Sequence, residues 1–285
     1  MRVHVLGGGT PRPAANRFGS SWLVDLGAQR LLFDCGPAAT QKLARHGFTP
    51  TEVDDLFFTH HHFDHNADYP AFALSRWDQG AELLPELRVH GPWPTAAVTE
   101  RLFGDAGAYR YDIDARIGNR QSQRAHVLRG GSLPRRPPHF DLDEIGPDAT
   151  IDGDGWTVRT ARTEHAQPFL DSLAYRLESG GLSIVVTGDC APTDALAAFA
   201  SRADLLLIMC WDRQATMDAD GFDAGMTASV GAGRVAGRAG VARLALVHLN
   251  PALDTPDGAA ALEADVRGEF DGTLILTDES TVIDL

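Results

Sequence analysis

Four side chains of metal-binding type lie within six residues of one another, directly after an apolar run. The run at 56–58 reads Leu-Phe-Phe, and the segment 59–65 reads Thr-His-His-His-Phe-Asp-His. The run predicts a buried strand, and a loop at the end of such a strand can direct several side chains to one point. Imidazole and carboxylate groups bind zinc and similar first-row metals. We therefore interpret His60, His62, Asp64 and His65 as a metal-binding tetrad rather than a solvated His-rich turn.

The tetrad also predicts how many ions are bound. One tetrahedral zinc takes about four ligands. Four ligands in one loop, together with ligands from elsewhere in the chain, are more than one zinc ion binds. The number of ligands therefore indicates two divalent metals.

Composition places the chain among ordinary globular proteins. Of its 285 residues, 44% are hydrophobic and 22% are charged, and we expect a single domain over 1–285. No apolar stretch approaches the roughly 18 residues that span a bilayer, and the N-terminus has no signal-peptide pattern. Cys35, Cys190 and Cys210 lack CxxC spacing, which predicts buried free thiols in a reducing compartment. These features predict a cytoplasmic protein without a membrane partner.

The formal net charge of −14 bears on the choice of partner. Proteins that hold RNA or DNA by the phosphates usually carry a basic surface. The charge therefore predicts a small-molecule substrate and no nucleic-acid partner, although a local basic patch such as 129–136 could lie within that average. Two bound divalent ions would reverse the local sign at an active site, so a small anionic substrate remains open.

Strand-like and helix-like patterns occur in both halves of the chain, which suits two sheets between layers of helices. The predicted strands are 3–6, 22–26, 30–34, 53–58, 87–90, 156–161, 172–177, 182–187, 205–208, 244–247, 273–276 and 281–283. The predicted helices are 37–46, 194–200, 227–239 and 256–270. The stretch 103–147 is rich in polar residues, Gly and Pro. We interpret it as a lid or insertion, with Tyr109, Tyr111 and Arg116 as candidates for substrate contact.

Three more metal-type residues each follow a predicted strand. His165 lies in Thr-Glu-His-Ala, Asp189 in Thr-Gly-Asp-Cys, and His248 in Leu-Val-His-Leu. One such residue alone is more often a cap or a turn residue. Polar residues at the ends of several strands can converge on one rim of a sheet, so we expect these three to join the tetrad.

The order H-x-H-x-D-H, then His, then Gly-Asp, then a late His resembles the metallo-β-lactamase superfamily. Residues 6–11 (Leu-Gly-Gly-Gly-Thr-Pro), 33–36 (Phe-Asp-Cys-Gly) and 232–236 (Ala-Gly-Arg-Val-Ala) make the chain similar to the branch that contains ribonuclease Z and arylsulfatase-like hydrolases. The resemblance covers nearly the whole chain, and 103–147 is its least constrained part.

The resemblance implies an α/β fold, the αβ/βα four-layer sandwich, with the site at the sheet rim. It implies that the first metal is bound by His60, His62 and His165, the second by Asp64, His65 and His248, with Asp189 bridging the two. Asp64 would also orient the attacking hydroxide. Two readings of Asp34 stay open: it orients a ligand histidine through the other ring nitrogen, or it caps a turn.

The sequence also departs from the ribonuclease Z pattern. Members of that branch carry an additional His before the Ala-Gly-Arg helix, whereas residues 224–228 here read Ala-Gly-Met-Thr-Ala. An acidic or His residue near 208–210 is absent too. With the net charge, these differences argue against tRNA 3′ processing. We expect a dinuclear zinc hydrolase of a small ester-type substrate: a lactone, ester, sulfate ester or phosphodiester.

Two other classes of function stay open. An iron or manganese redox enzyme can use the same fold, but His62 stands where iron-type members tend to carry an acidic residue, which favours zinc. A non-catalytic binding protein is the other alternative, and a full ligand set argues against it. The resemblance also leaves open a homodimer.

Overall fold

The computed structural model describes residues 1–222 and 225–285. Its first sheet has seven strands in the order β14-β1-β2-β3-β4-β5-β6. From β14 through β1 and β2 to β3, each pair of neighbouring strands is antiparallel. From β3 through β4 and β5 to β6, each pair is parallel. The strands are β1 (Arg2–Gly7), β2 (Ser21–Asp25), β3 (Arg30–Phe33), β4 (Asp55–Phe57), β5 (Leu87–Gly91), β6 (Phe140–Glu144) and β14 (Val282–Asp284).

The second sheet also has seven strands, in the order β13-β12-β11-β10-β9-β8-β7. Strands β10 to β13 are parallel, and β7 to β10 form an antiparallel meander. The strands are β7 (Thr150–Gly153), β8 (Trp156–Arg162), β9 (Leu173–Ser179), β10 (Leu182–Val186), β11 (Leu205–Met209), β12 (Arg243–Val247) and β13 (Thr273–Leu276).

Helices cover the outer face of each sheet. Their bounds are α1 (Ala39–Arg45), α2 (Phe63–Asn66), α3 (Tyr69–Gly80), α4 (Thr95–Phe103), α5 (Arg110–Gly118), α6 (Arg120–Leu128), α7 (Asp194–Phe199), α8 (Gln214–Asp220), α9 (Ser229–Ala239) and α10 (Pro256–Arg267). Helix α10 shows how local sequence sets a boundary: the Thr255 hydroxyl accepts from the Gly258 N–H at 3.1 Å, and Pro256 occupies the first turn, where a missing N–H costs nothing.

Three apolar clusters form the layers of the core. One lies between the two sheets and includes Trp22, Phe57 and Tyr175. A second packs α1 and α3 on the first sheet, and a third packs α7, α9 and α10 on the second sheet. Strands buried on both faces, as β11 is over its whole length, are typical of sheets covered on both sides. The predicted αβ/βα four-layer sandwich is confirmed.

The stretch 103–147 differs from the prediction in its local structure. It contains α5, α6 and β6, and β6 joins the edge of the first sheet beside β5. Ile113 of α5 is fully buried in the core cluster of the outer layer. Arg129 and Arg135 pair with Asp78 at the end of α3, at 3.0 and 2.9 Å. That the stretch covers a substrate stays a prediction.

Two further findings concern burial and helix length. Cys35, Cys190 and Cys210 are all buried and free, as predicted. Among the residues that the structure describes, no helix has the length and apolar character needed to cross a bilayer.

Candidate metal centre

Strand direction brings the predicted ligands to one edge of the molecule. Strand β4 is followed by the tetrad, and β12 is followed directly by His248. Strands β10 and β12 run parallel through β11, so they end at the same edge. Strand β8 is antiparallel to β9, which is antiparallel to β10, so β8 also ends there. The loops that carry His165, Asp189 and His248 therefore leave the second sheet on one rim.

The first group of ligand-type atoms gathers His60, His62, His165 and Asp189 within 4.8 Å of one another. His60 Nε2 lies 3.0 Å from His62 Nδ1, and His165 Nε2 lies 3.2 Å from the same nitrogen. Asp189 Oδ2 is 3.7 Å from His165 Nε2. Three imidazole nitrogens and one carboxylate oxygen thus face a common point.

The second group gathers Asp64, His65 and His248 within the same limit of 4.8 Å. Asp64 Oδ2 lies 3.3 Å from His248 Nε2 and 3.6 Å from His65 Nε2. Asp189 reaches this group as well, at 3.4 Å from His65 and 3.3 Å from His248. Because Asp189 contacts both groups, it lies between the two points where ions would bind.

Asp34 fixes the orientation of His65. Asp34 Oδ2 lies 2.7 Å from His65 Nδ1 and accepts from the Thr59 hydroxyl at 2.8 Å. Asp34 Oδ1 accepts from the backbone N–H of Thr59 at 2.7 Å. The residue has a φ of 58°, a left-handed conformation uncommon for a residue other than Gly. Its side chain is thereby held beneath the tetrad, and His65 Nε2 faces the centre.

Two other ligands are oriented by the backbone around them. His165 Nδ1 donates to the carbonyl of Gly225 at 2.8 Å, which leaves Nε2 free for the centre. A Cβ at position 225 would lie 2.5 Å from the carbonyl oxygen of His165, so Gly is required there. His248 has a φ of 57°, and the ring of Trp211 packs on it at a centroid distance of 5.6 Å.

Atoms without partners show that the residues fit bound cations. His65 Nε2 and Asp189 Oδ1 are buried and have no hydrogen-bond partner in the described structure. Buried polar atoms are rarely left unpaired. Two nitrogens on one tetrahedral zinc, each bonded at about 2.0–2.1 Å, lie about 3.3 Å apart. The observed spacings of 3.0 and 3.2 Å between ring nitrogens are close to that value.

The protonation of the metal-free cluster differs from one ligand to the next. Burial, reinforced by the neighbouring histidines, lowers the pKa of His60 well below its usual value, so the ring is neutral and able to bind a cation. Burial disfavours the charged form of His65, but Asp189 and Asp34 outweigh it and raise its pKa. Burial likewise disfavours the Asp189 carboxylate, but His248 and His65 lower its pKa well below the usual value.

His61 points away from the centre, as its alternation with the ligands predicts. Its Nε2 lies 2.7 Å from the Thr95 hydroxyl, and its Nδ1 lies 3.1 Å from the Asn66 amide. Burial lowers its pKa to about 4. His61 is therefore held by hydrogen bonds within the protein, whereas its neighbours His60 and His62 face the centre.

Sequence reasoning missed some of the residues that support the site. The sequence leaves open whether Trp211 reaches the pocket or belongs to a turn after a buried strand, and its ring packs on His248. No local signal identified the contact between Gly225 and His165. Of the segment 224–228, where the sequence lacks the additional His of ribonuclease Z, Ala224 lies outside the described residues. Thr227 is buried, and its hydroxyl donates to the Cys190 carbonyl at 2.7 Å.

Comparison with known proteins places this centre in a family. The sequence profile of the metallo-beta-lactamase superfamily matches residues 15–248. Among curated relatives, the ribonuclease Z of Mycobacterium bovis is 30% identical over 284 residues, covering 96% of this chain and 94% of that protein.

These relatives show that the predicted absence of a nucleic-acid partner is wrong. The prediction depended on the net charge of −14, which is a sum over the whole chain. Charge is not evenly spread: residues 110–139 contain seven arginines against two aspartates. A cationic centre also attracts a phosphodiester locally whatever the total charge is. The whole-chain charge was therefore a poor guide to the substrate.

Solved structures agree with this assignment. The metallo-beta-lactamase fold protein YhfI from Bacillus subtilis superposes with a TM-score of 0.73 at 25% identity, covering 99% of this chain and 98% of that one. The short form of human tRNase Z shares the fold, with a TM-score of 0.71 at 20% identity and coverage of 100% and 99%. The predicted metal-dependent hydrolase is thus confirmed, and the chain belongs to the metallo-beta-lactamase superfamily, in the branch of ribonuclease Z.

Proposed function

We propose that the protein is a dinuclear zinc-dependent phosphodiesterase that cleaves RNA, with the 3′ end of precursor tRNA as the first substrate to test. The observation that carries the proposal is the pair of ligand groups joined at Asp189. The names of the relatives, ribonuclease Z and tRNase Z, support RNA as the substrate.

The donor set favours zinc over harder or softer ions. Five imidazoles and two carboxylates form the two groups, and nitrogen-rich sites of this kind suit zinc, whereas Mg²⁺ prefers oxygen ligands. We assign His60, His62 and His165 to one ion, Asp64, His65 and His248 to the other, and Asp189 to both. Two zinc ions bound here would bring the pKa of a shared water towards neutrality and polarise the phosphoryl oxygen.

The side chains of the chain itself supply positioning. Asp64 presents Oδ2 beside His248 and His65, where a carboxylate can accept a hydrogen bond from the attacking water and orient it. Asp34 holds His65 through its second ring nitrogen. Four of the seven ligands come from one short segment after the first sheet, and three come from separate loops of the second sheet. The site is therefore complete only when the two sheets are packed against each other.

The departure at 224–228 bears on the leaving group. No histidine is available in that segment to donate a proton. RNA cleavage here would then depend on leaving-group stabilisation by the metals or on proton transfer from solvent. A general acid acts in its protonated form, so kcat of an enzyme that uses one falls as the pH rises through the pKa of that acid. We expect kcat of this protein to depend less on such an ionisation.

The test is a turnover screen of the zinc-loaded protein. The substrates are a precursor tRNA with a 3′ trailer, a single-stranded RNA, bis(p-nitrophenyl) phosphate, and p-nitrophenyl acetate and sulfate. We expect both RNA and the phosphodiester to be cleaved, and His60→Ala to abolish cleavage. The matched control is the adjacent His61→Gln, which alters no ligand. Turnover of the acetate or sulfate without any phosphodiester cleavage would contradict the proposal.

A further inference from the structure

Four large aromatic side chains are exposed on segments that carry the metal ligands or adjoin residues in contact with those segments. We call Phe63, Trp93, Phe169 and Phe222 the aromatic collar; their exposed fractions are 61%, 52%, 80% and 48%. Exposing rings of this size forfeits the free energy of burying them. Apolar groups clustered on a surface therefore mark a place where something binds.

Two collar residues belong to segments that carry metal ligands. Phe63 lies between His62 and Asp64 and opens α2. Phe169 lies on the loop of His165, where its backbone N–H donates to the Ala166 carbonyl at 3.0 Å. These rings are thus attached to the same short segments that position the ligands.

The other two collar residues follow segments that contact the ligand loops. Trp93 lies two residues before Thr95, whose hydroxyl is 2.7 Å from His61 of the tetrad segment. Phe222 lies three residues before Gly225, whose carbonyl accepts from His165 Nδ1 at 2.8 Å. The backbone N–H of Phe222 donates to the Met217 carbonyl at 2.9 Å, which ties this residue to the end of α8.

The exposure of the ligands indicates from which side a substrate reaches the centre. His60, Asp64, His65, Asp189 and His248 are all buried. His62 and His165 are only half-buried, so a substrate approaches from their side. Phe63 directly follows His62, and Phe169 lies four residues after His165, so each of the two accessible ligands has an exposed ring on its own segment.

Lysine side chains do not hold the substrate in this protein. Lys42 is the single lysine of the chain and is buried. Contacts to phosphates away from the centre therefore fall to arginine side chains. Rings beside a cationic centre suit a substrate whose phosphate meets the metals while flat groups on either side meet the rings.

We infer that the aromatic collar stacks the unpaired nucleobases that flank the scissile phosphodiester. This inference rests on the proposed RNA phosphodiesterase activity and adds how the substrate is held. Every base has a π-face, so such stacking tolerates any sequence. Loss of one ring is expected to weaken binding about tenfold, from the usual strength of a base–aromatic stack.

The test compares Phe63→Ala, Phe169→Ala and Trp93→Ala with Leu83→Ala as the matched control. Leu83 is also exposed, at 65%, and lies beyond the far end of α3, about 18 Å of helix from the tetrad. Two readouts are used: KM and kcat for a short single-stranded RNA, and stopped-flow quenching of 2-aminopurine in the same RNA by the zinc-loaded protein, which reports stacking before cleavage.

We expect each collar variant to raise KM and the 2-aminopurine dissociation constant about tenfold with kcat little changed. Phe169→Tyr, which keeps a ring, restores both values, and Leu83→Ala changes neither. Unchanged KM and quenching in the collar variants of an active phosphodiesterase would overturn the inference. Quenching that follows the collar in a protein that cleaves no RNA supports the stacking and removes the proposed function.

A dimer interface is the competing use of such rings. Sedimentation velocity on the same variants separates the two. If Phe63→Ala and Phe169→Ala convert a dimer into monomers while quenching stays as in the unmodified protein, the collar joins two copies of the chain and the inference is wrong.

Discussion

Two clusters combine histidine with aspartate, and they differ in how the carboxylates are balanced. In the strand cluster, Asp55 of β4 accepts from Arg88 at 2.6 Å and from His90 at 3.0 Å, both on β5. Its carboxylate is thus balanced by an arginine, and a single ring nitrogen, His90 Nδ1, is buried without a partner. In the metal centre, a ring nitrogen and a carboxylate oxygen, His65 Nε2 and Asp189 Oδ1, are both buried without a hydrogen-bond partner and lie 3.4 Å apart.

The difference teaches how to recognise a metal site among buried polar groups. A charged side chain that is paired within the protein needs nothing further. A buried ring nitrogen and a carboxylate oxygen that face each other need a cation between them, either a proton or a metal ion. The number of histidines and aspartates alone would not separate the two clusters.

The largest expected effect removes the carboxylate shared by both ligand groups. Asp189→Asn should lower kcat by well over about a hundredfold, because even a residue that only orients a ligand costs about 10–100-fold. Metal content measured by mass spectrometry should fall below two ions per chain. Two ions and unaltered turnover in this variant would show that Asp189 does not join the groups.

A smaller effect is expected beneath the tetrad. Asp34→Asn keeps the shape of the side chain but weakens its hold on His65 Nδ1, so zinc affinity should fall by about 10–100-fold. Competition with a fluorescent chelator measures the change. An affinity equal to that of the unmodified protein would support the other reading of Asp34, in which it only caps a turn.

The strand cluster should respond in stability and not in metal content. Asp55→Asn leaves Arg88 and His90 without their shared carboxylate, and the free energy of unfolding should fall by about 1–3 kcal/mol. Urea denaturation measures this loss, with zinc content as the control. A fall in bound zinc would mean that the two clusters are coupled rather than independent.

The smallest effect concerns protons. In the metal-free protein the pKa of His65 is raised by Asp189 and Asp34 against the effect of burial. That interaction stabilises the fold below pH 6.5, the unfolded value, and the stabilisation is lost as the pH rises through the folded pKa. Zinc binds the neutral ring, so binding should release a proton wherever His65 is charged in the metal-free protein.

Calorimetry in two buffers of different ionisation enthalpy counts the protons released on zinc binding. Asp34→Asn removes one of the carboxylates that raise the pKa of His65 and should reduce the release. A binding heat that is independent of the buffer would show that His65 is already neutral at pH 7.

The parts of the site predicted from sequence were those with a local signal. The tetrad occupies one segment after one apolar run, so its spacing alone indicated a metal. His165, Asp189 and His248 follow separate strands, and only the strand directions show that they meet at one rim. The left-handed conformation of Asp34, with a φ of 58°, cannot be inferred from its residue type, so the sequence left its role open.

The errors have physical causes as well. Helix α3 was not predicted because it buries Arg76 and Asp78, which interrupt the apolar period. Strand β6 reads Phe-Asp-Leu-Asp-Glu and lies at a sheet edge with most of its side chains exposed, so its polar character hid it. The absence of a nucleic-acid partner was predicted wrongly because net charge sums over the whole surface, whereas a phosphodiester responds to the local field.

The most direct test is anomalous diffraction at the zinc edge from crystals of the zinc-loaded protein. The account predicts two peaks about 3.5–4 Å apart, one among His60, His62 and His165, the other among Asp64, His65 and His248, with Asp189 contacting both. A single peak, or two peaks of which either lies outside these ligands, would contradict it.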